Sequence, residues 1–254
     1  MSRCAWGIAL CLGLTVALPA VAQEQEEKSW TLEFGADYAT TYLFRGVDLL
    51  ADENVFVPRA QWTWNDFAVT YFGYYGDLPG SSRYVEGDLS IDKTFHLGEV
   101  ASLTLGGLTY QFNKDTEQDL AFLDTYEVYG IVAFDVLLSP TVAYYHDVDK
   151  IDGGYLSVAL SHSVPLGSRA SLDFLGSVGF DFHYNNKAVS EGTLNDALLG
   201  VDLPVQLNDH FSLHAGAQRS FALKALDEIV EADASLEPRY GDQTVYLAGA
   251  TVSF

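Results

Sequence analysis

The sequence predicts an all-β fold: a 12-stranded antiparallel transmembrane β-barrel with its N- and C-termini on the periplasmic side. Three observations predict it. Apolar and polar residues alternate with period two over long segments, the connections between these segments alternate between short and long, and the aromatic residues gather toward the segment ends. Successive side chains of a strand point to opposite faces, so each segment offers one apolar and one polar face. An ordinary globular strand runs roughly five or six residues, whereas a tilted strand that crosses a bilayer needs about nine to eleven.

The chain has 254 residues. Residues 1–22 read as a secretory signal peptide: a basic start at Arg3, an apolar run from Cys4 to Leu18, and a small-residue exit at Ala20-Val21-Ala22. Residues 23–254 then form a single barrel domain. Both cysteines, Cys4 and Cys11, lie in the leader, so the remainder contains no thiol or disulfide chemistry. The whole chain carries 13 basic and 35 acidic residues; losing Arg3 leaves 12 against 35, a formal charge of −23. That balance argues against nucleic acid as a partner. No segment after the leader approaches eighteen uninterrupted apolar residues, so a membrane location requires a closed barrel.

The first segment is the clearest. Trp30, Leu32, Phe34, Ala36, Tyr38, Thr40, Tyr42 and Phe44 alternate with Thr31, Glu33, Gly35, Asp37, Ala39, Thr41, Leu43 and Arg45. A helix would gather neither set into a stripe. The same pattern predicts strands over 30–45, 54–64, 67–76, 83–96, 99–112, 122–134, 136–147, 154–165, 169–183, 194–206, 210–221 and 240–254. The last ends on Phe254. This resembles the ending of bacterial outer-membrane barrels, where the final aromatic serves as an assembly signal.

Short turns are expected at Asn65-Asp66, Leu97-Gly98, Asp135, Leu166-Gly167-Ser168 and Asn208-Asp209, and longer loops at 46–53, 77–82, 113–121, 148–153, 184–193 and 222–239. Five short turns and six long loops place both termini at the short-turn end, the arrangement of a barrel with periplasmic turns and extracellular loops. Trp30, Trp64, Phe67, Phe95, Phe134, Phe211 and Phe254 fall at that end. Tyr42, Phe44, Phe56, Tyr75, Tyr84, Tyr110, Phe112, Phe122, Tyr144, Phe182, Tyr184, Phe221 and Tyr240 fall at the other. Two such bands are the aromatic girdles expected at the bilayer interfaces. A soluble sandwich predicts neither the banding nor the alternation of loop lengths.

Some places depart from the pattern. The alternation changes phase at Gly106-Gly107, which predicts a bulge. Pro58, Pro140 and Pro204 would each lose a ladder bond, which predicts bulges or strand ends near them. Residues 222–239 break the period; Leu223, Leu226, Ile229 and Val230 suit a short helix on the rim or in the mouth, and a surface loop suits the composition equally.

By parity the inward face carries the pore-lining candidates Glu33, Asp37, Arg59, Glu86, Asp88, Asp92, Glu127, Asp173, Asp181 and Asp202, with Gln61, Ser90, Tyr145 and His214. Glu86, Asp88, Ser90 and Asp92 form one polar ladder. Carboxylates at that spacing repel one another unless water or counter-ions fill the space, and Arg59 alone cannot serve them all. A hydrated lumen that favours cations is expected over a plugged one.

Catalytic patterns are weak. His210-Phe211-Ser212 faces inward beside a short turn, and Ser161-His162-Ser163 lacks triad spacing. Rim acids with His146 or His183 have no specificity in so acidic a chain. No phosphate loop, dinucleotide fingerprint or zinc pattern is present. No cofactor and no dedicated metal site is expected. Asp147, Asp149 and Asp152, and Asp227, Glu228, Glu231 and Asp233, are oxygen-rich loop groups that suit at most weak Ca²⁺ or Mg²⁺ binding.

Tyr42-Leu43-Phe44-Arg45-Gly46 resembles the segment that the TorF-like (Gcw_chp) family of outer-membrane porins carries soon after its leader, and Tyr126-Glu127-Val128-Tyr129 is similar to that family's middle strands. The chain departs from the family after Gly46, where 47–53 is longer and more acidic. The resemblance implies an outer-membrane channel, supplies no catalytic residue, and marks Arg45, otherwise read as a rim arginine that meets lipopolysaccharide phosphate. The expectations are then a passive channel for cations or small neutral solutes, not an enzyme. The expected partners are the lipid bilayer, lipopolysaccharide and the barrel-assembly machinery. A structural or adhesive barrel working through its loops is the alternative, and an outer-membrane hydrolase the least favoured.

Overall fold

The computed structural model describes residues 30–78, 82–112 and 124–254. The leader, the polar lead at 23–29, and the segments 79–81 and 113–123 with Phe122 lie outside the described residues.

The alternating segments pair into one closed antiparallel barrel. In chain order the strands are β1 (Trp30–Ala39), the short β2 (Leu43–Phe44) and β3 (Val47–Asp48), then β4 (Val55–Trp64), β5 (Phe67–Leu78), β6 (Ser82–His96), β7 (Ala101–Phe112) and β8 (Thr125–Phe134). They continue with β9 (Thr141–Asp147), β10 (Gly153–Pro165), β11 (Ser171–Phe182), β12 (Thr193–Gln206), β13 (Phe211–Ala222) and β14 (Gln243–Ser253). Twelve of these form the wall; β2 and β3 pair only with each other. β1 closes the ring, with Phe34 opposite Ala60 of β4 on one side and Val252 of β14 on the other. Closure leaves no open edge, so every strand finds backbone partners inside the sheet.

The two faces separate as the alternation predicts. Phe34, Tyr38, Trp62, Tyr71, Ile91, Val128, Leu160, Leu199 and Tyr246 are exposed on the outside. Trp30, Trp64, Phe67, Phe95, Phe134 and Phe254 are exposed at the short-turn end, and Phe211 is half-buried there. An outer surface this apolar is stable only against hydrocarbon.

Several expectations are corrected. The first segment is not one strand over 30–45. The wall strand ends at Ala39, and the chain turns inward, so Tyr42 and Phe44 are buried in the lumen rather than set in a girdle. Tyr84 and Tyr110 are likewise interior. The alternation runs on because the interior that receives this segment is itself aromatic, with Tyr74 and Tyr84 against Tyr42. Residues 136–140 form a turn, not the start of a strand; β9 begins at Thr141, directly after Pro140. There is no bulge at Gly106-Gly107: the β6–β7 and β7–β8 registers run through unbroken. The apparent phase change arises because Leu108 and Tyr110 are apolar yet face inward. Gly106 itself leaves room for the Tyr129 ring, which a Cβ would overlap. Pairing of β4 with β5 lapses at Val57 and Pro58, but the register shift lies elsewhere, between Gly179 and Phe180 of β11, where Asn195 is the extra residue of β12. Between the two alternatives for 222–239, helix or surface loop, the helix is the one present: α1 (Lys224–Ala232), a 3-10 turn (Ala234–Leu236) and α2 (Glu237–Tyr240). Ala225 and Leu226 are fully buried, so α1 packs into the long-loop mouth.

Candidate functional site

The candidate site is the lumen, and it has two zones. The zone toward the long loops is built around the β2–β3 hairpin. Its turn is Arg45-Gly46, with φ of 50° and 80°. Two consecutive positive φ values are what a two-residue hairpin turn needs to match strand twist. Holding a non-glycine residue there costs about 1–2 kcal/mol, which the contacts of Arg45 offset.

Arg45 reaches across the lumen to β8. Its Nη1 and Nη2 donate to Oε1 and Oε2 of Glu127, both at 2.7 Å, and the two side chains are 5% and 0% exposed. The guanidinium lies 4.2–5.2 Å from the ring centroids of Phe44, Tyr145, Tyr155 and Tyr184. Tyr110 adds a hydroxyl to Glu127 at 2.9 Å. A bidentate pair inside an aromatic cage is the geometry that suits arginine and not lysine. The rim arginine exposed to lipopolysaccharide is therefore corrected: Arg45 is inside.

The β12 bulge serves this contact. It turns two consecutive residues, Asn195 and Asp196, into the lumen, and both are buried. The Asn195 amide donates to the Arg45 carbonyl at 2.8 Å and Asn185 donates to it at 3.3 Å. The Tyr155 hydroxyl donates to Asp196 at 2.8 Å. Gly46 fits against Asp196 and Leu226, each of which a Cβ would meet at 2.8 Å. On the other flank Tyr42 stacks on Tyr74 at 4.5 Å and donates to Glu86 at 2.9 Å; Tyr84 donates to the same oxygen. Asp48 accepts the backbone N–H groups of Leu50, Ala51 and Asp52, and Arg239 binds the carbonyls of Asp48 and Leu49. Burial pushes the Asp48 carboxyl up, and the backbone donors pull it partly back.

The polar ladder of β6 therefore sits differently from expectation at this level. Glu86 and Glu127 are not bare charges in water; tyrosines and Arg45 satisfy them. Asp181 accepts the backbone N–H groups of Tyr184, Asn185 and Asn186 and so shapes a loop. Asp147 does the same for Asp149, Ile151 and Asp152. Among the described residues no group of three or more His, Cys, Asp or Glu side chains is placed to hold a metal ion.

The second zone lies toward the short turns, and its side chains are less completely buried. Arg59 donates to Glu33 at 2.8 Å and to Thr251 at 3.3 Å. His214 bridges two carboxylates: Nε2 to Asp37 at 2.6 Å and Nδ1 to Asp202 at 3.1 Å. Tyr129 donates to Asp92 at 3.0 Å. Asp88 and Asp173 are buried, and one oxygen of each has no hydrogen-bond partner among the described residues. Of the ten pore-lining candidates, Glu86 and Glu127 meet the hairpin and its flank, Asp181 shapes the adjoining loop, Glu33 pairs with Arg59, Asp37 and Asp202 meet at His214, and Asp92 meets Tyr129. Sequence reasoning missed the cage tyrosines Tyr110, Tyr155 and Tyr184 and the bulged Asn195. For Tyr110 and Tyr155 the signal was a carboxylate of matching parity on the neighbouring strand, Asp88 and Asp181; Tyr184 in its loop and Asn195 at its bulge carried none.

No protein-family model and no curated protein matches the chain. Solved structures do. The chain is similar to the KdgM porin, with a TM-score of 0.57 and 11% identity over 87% of this chain and 99% of that one. It is similar to the NanC porin, with a TM-score of 0.56 and 8% identity over 87% and 98%. The fold is the fold of these porins. KdgM has also been solved in complex with disordered oligogalacturonate, and that structure matches with a TM-score of 0.52 and 11% identity over 88% and 99%.

Proposed function

We propose that the chain is a bacterial outer-membrane channel that passes small cationic or neutral solutes by passive diffusion. The observation that carries this reading is the inversion of polarity across one closed wall, aromatic and aliphatic outside and acidic inside. Twelve strands enclose a passage wider than a packed eight-stranded barrel and narrower than a general porin. The KdgM structure named above was solved with a polyanion. A lumen carrying Glu33, Asp37, Asp92, Asp173 and Asp202 against Arg59 and His214 repels such a ligand and favours cations. The placement with the TorF-like porins rests on the sequence of the Tyr42–Gly46 segment, which in this chain builds the hairpin. Lipid, lipopolysaccharide and the assembly machinery are the partners this reading requires. No catalytic role is assigned.

In planar bilayers the folded protein is expected to conduct, with a reversal potential in a KCl gradient on the cation side. Correctly folded protein that carries no current at any voltage overturns the reading.

The packed hairpin and the docked α1 favour one second reading, a barrel that works through its loops. Removing 224–236 distinguishes the two. The channel reading expects current to rise as the support behind Gly46 is lost; the loop reading expects lost surface binding with current unaltered.

A further inference from the structure

The interior wall holds a recess near the short-turn end that neither the hairpin nor the His214 bridge fills. It is lined by Asp173 and Leu175 of β11, Gly200 and Asp202 of β12, Gln218 of β13 and Leu247 of β14. Asp173 and Asp202 face each other directly in the β11–β12 register. Gly200 keeps the recess open; a Cβ there would meet Gln218 Cγ at 3.4 Å.

Asp173 is 5% exposed, and its Oδ1 is shielded from solvent without a hydrogen-bond partner among the described residues. An unpaired acceptor in such a place is costly, more so when ionised. The neighbouring groups do not relieve it. Asp202 shares its Oδ1 with His214, and the other nitrogen of His214 is taken by Asp37. One imidazole thus stands among three carboxylates, which leaves the cluster net negative.

The chemistry of a group that fits follows from the walls. It must carry a hydrogen-bond donor, because the orphan is an acceptor. It must carry positive charge, because the cluster is net negative. It must tolerate Leu175 and Leu247 beside its head. A divalent metal ion is a poor fit: it requires about six oxygen ligands, and no group of three acidic or histidine side chains is arranged for one among the described residues. A quaternary ammonium has no N–H and finds no aromatic ring among the recess residues.

We propose that this recess binds the primary ammonium group of an alkylamine solute, with Asp173 and Asp202 accepting its N–H donors and Leu175 and Leu247 covering its first methylenes. Binding stands independently of transport. The further step, that amines are among the permeants, rests on the channel reading above.

Saturation-transfer NMR on the detergent-folded barrel tests it, with n-butylammonium chloride as the probe and tetramethylammonium chloride and n-butanol as comparators. Butylammonium is expected to bind saturably and both comparators to fail. Asp173→Asn, which keeps the shape, should weaken binding about tenfold or more, the scale of one charge-assisted hydrogen bond. Gly200→Val, which fills the recess and keeps every charge, should abolish it; this variant decides the matter if Asp173→Asn does not fold. Equal binding of tetramethylammonium, or unchanged binding in a folded variant, overturns the proposal. Bilayer current reads the other question separately. Binding without current refutes the channel and keeps the site, and current without binding refutes the site and keeps the channel.

Discussion

Arg45 and Glu127 lie 82 residues apart and meet inside the barrel through two parallel bonds of 2.7 Å. Arg45 stands at the tip of a hairpin that is not part of the wall; Glu127 belongs to the wall on β8. The pair therefore ties this interior hairpin to the cylinder around it. Because the hairpin also touches β5, β6, β10 and β12 through Tyr74, Tyr84, Tyr155 and Asn195, this tie governs how much of the lumen is closed.

Arg45→Ala removes one partner of a buried pair and leaves Glu127 uncompensated. That destabilises by about 3–5 kcal/mol, read as a lower denaturant midpoint in detergent. The hairpin also loses its fork and its cage, so open-channel current in bilayers should rise several-fold. Arg45→Lys should restore little, since a point charge cannot make both bonds at once. Wild-type current from Arg45→Ala would show that the hairpin does not limit the passage.

Gly46→Ala should act through the same hairpin by a steric route. Gly46 has φ of 80° and its missing Cβ would stand 2.8 Å from Asp196 and Leu226. Gly167, in a short turn, has φ of 94° and nothing within 4 Å. Alanine costs about 1–2 kcal/mol at either place from the backbone alone. Only Gly46→Ala adds a clash, so it should lose more stability and change current, while Gly167→Ala changes stability only. Denaturation and current recordings on the two variants make the comparison.

Leu226 is fully buried on α1 and packs against the hairpin turn. Leu226→Ala leaves a void worth about 2–5 kcal/mol in a rigid core. Here a short loop helix can undock instead, so the loss should appear as local opening. Limited proteolysis should cut within 224–240 faster in the variant, with the strands still protected. Equal cleavage rates would place α1 on the rim, unsupported by this contact.

The wall was legible in the sequence because period two is a local property, and lipid on one side with polar groups on the other imposes it on every strand. The hairpin was not legible for the same reason. Tyr42 and Phe44 continue the parity of Trp30 and Phe34, yet they face tyrosines where the earlier residues face lipid. Leu108 and Tyr110 misled in the reverse direction, as interior residues with exterior chemistry. Parity assigned the carboxylates to the interior but carried nothing about which donors would meet them. Glu127 required Arg45 from a distant turn, and Asp181 required the backbone of its own loop.

His214 gives the sharpest test of the charge in the second zone. Both its ring nitrogens lie within hydrogen-bond distance of carboxylate oxygens, 2.6 Å to Asp37 and 3.1 Å to Asp202. An imidazole donates from both nitrogens only as the imidazolium, so the bridge supplies one positive charge between two negative ones. His214→Gln can donate to one carboxylate and must present its carbonyl to the other or turn away. The zone then becomes one unit more negative at pH 7, and acidic pore walls favour cations. The K⁺ to Cl⁻ permeability ratio, from the reversal potential across a KCl gradient, should rise. His214→Lys keeps the charge and should leave the ratio near that of the parent protein while loosening the bridge. A ratio that falls in His214→Gln, or that moves equally in both variants, would mean that permeating ions do not pass within reach of Asp37 and Asp202.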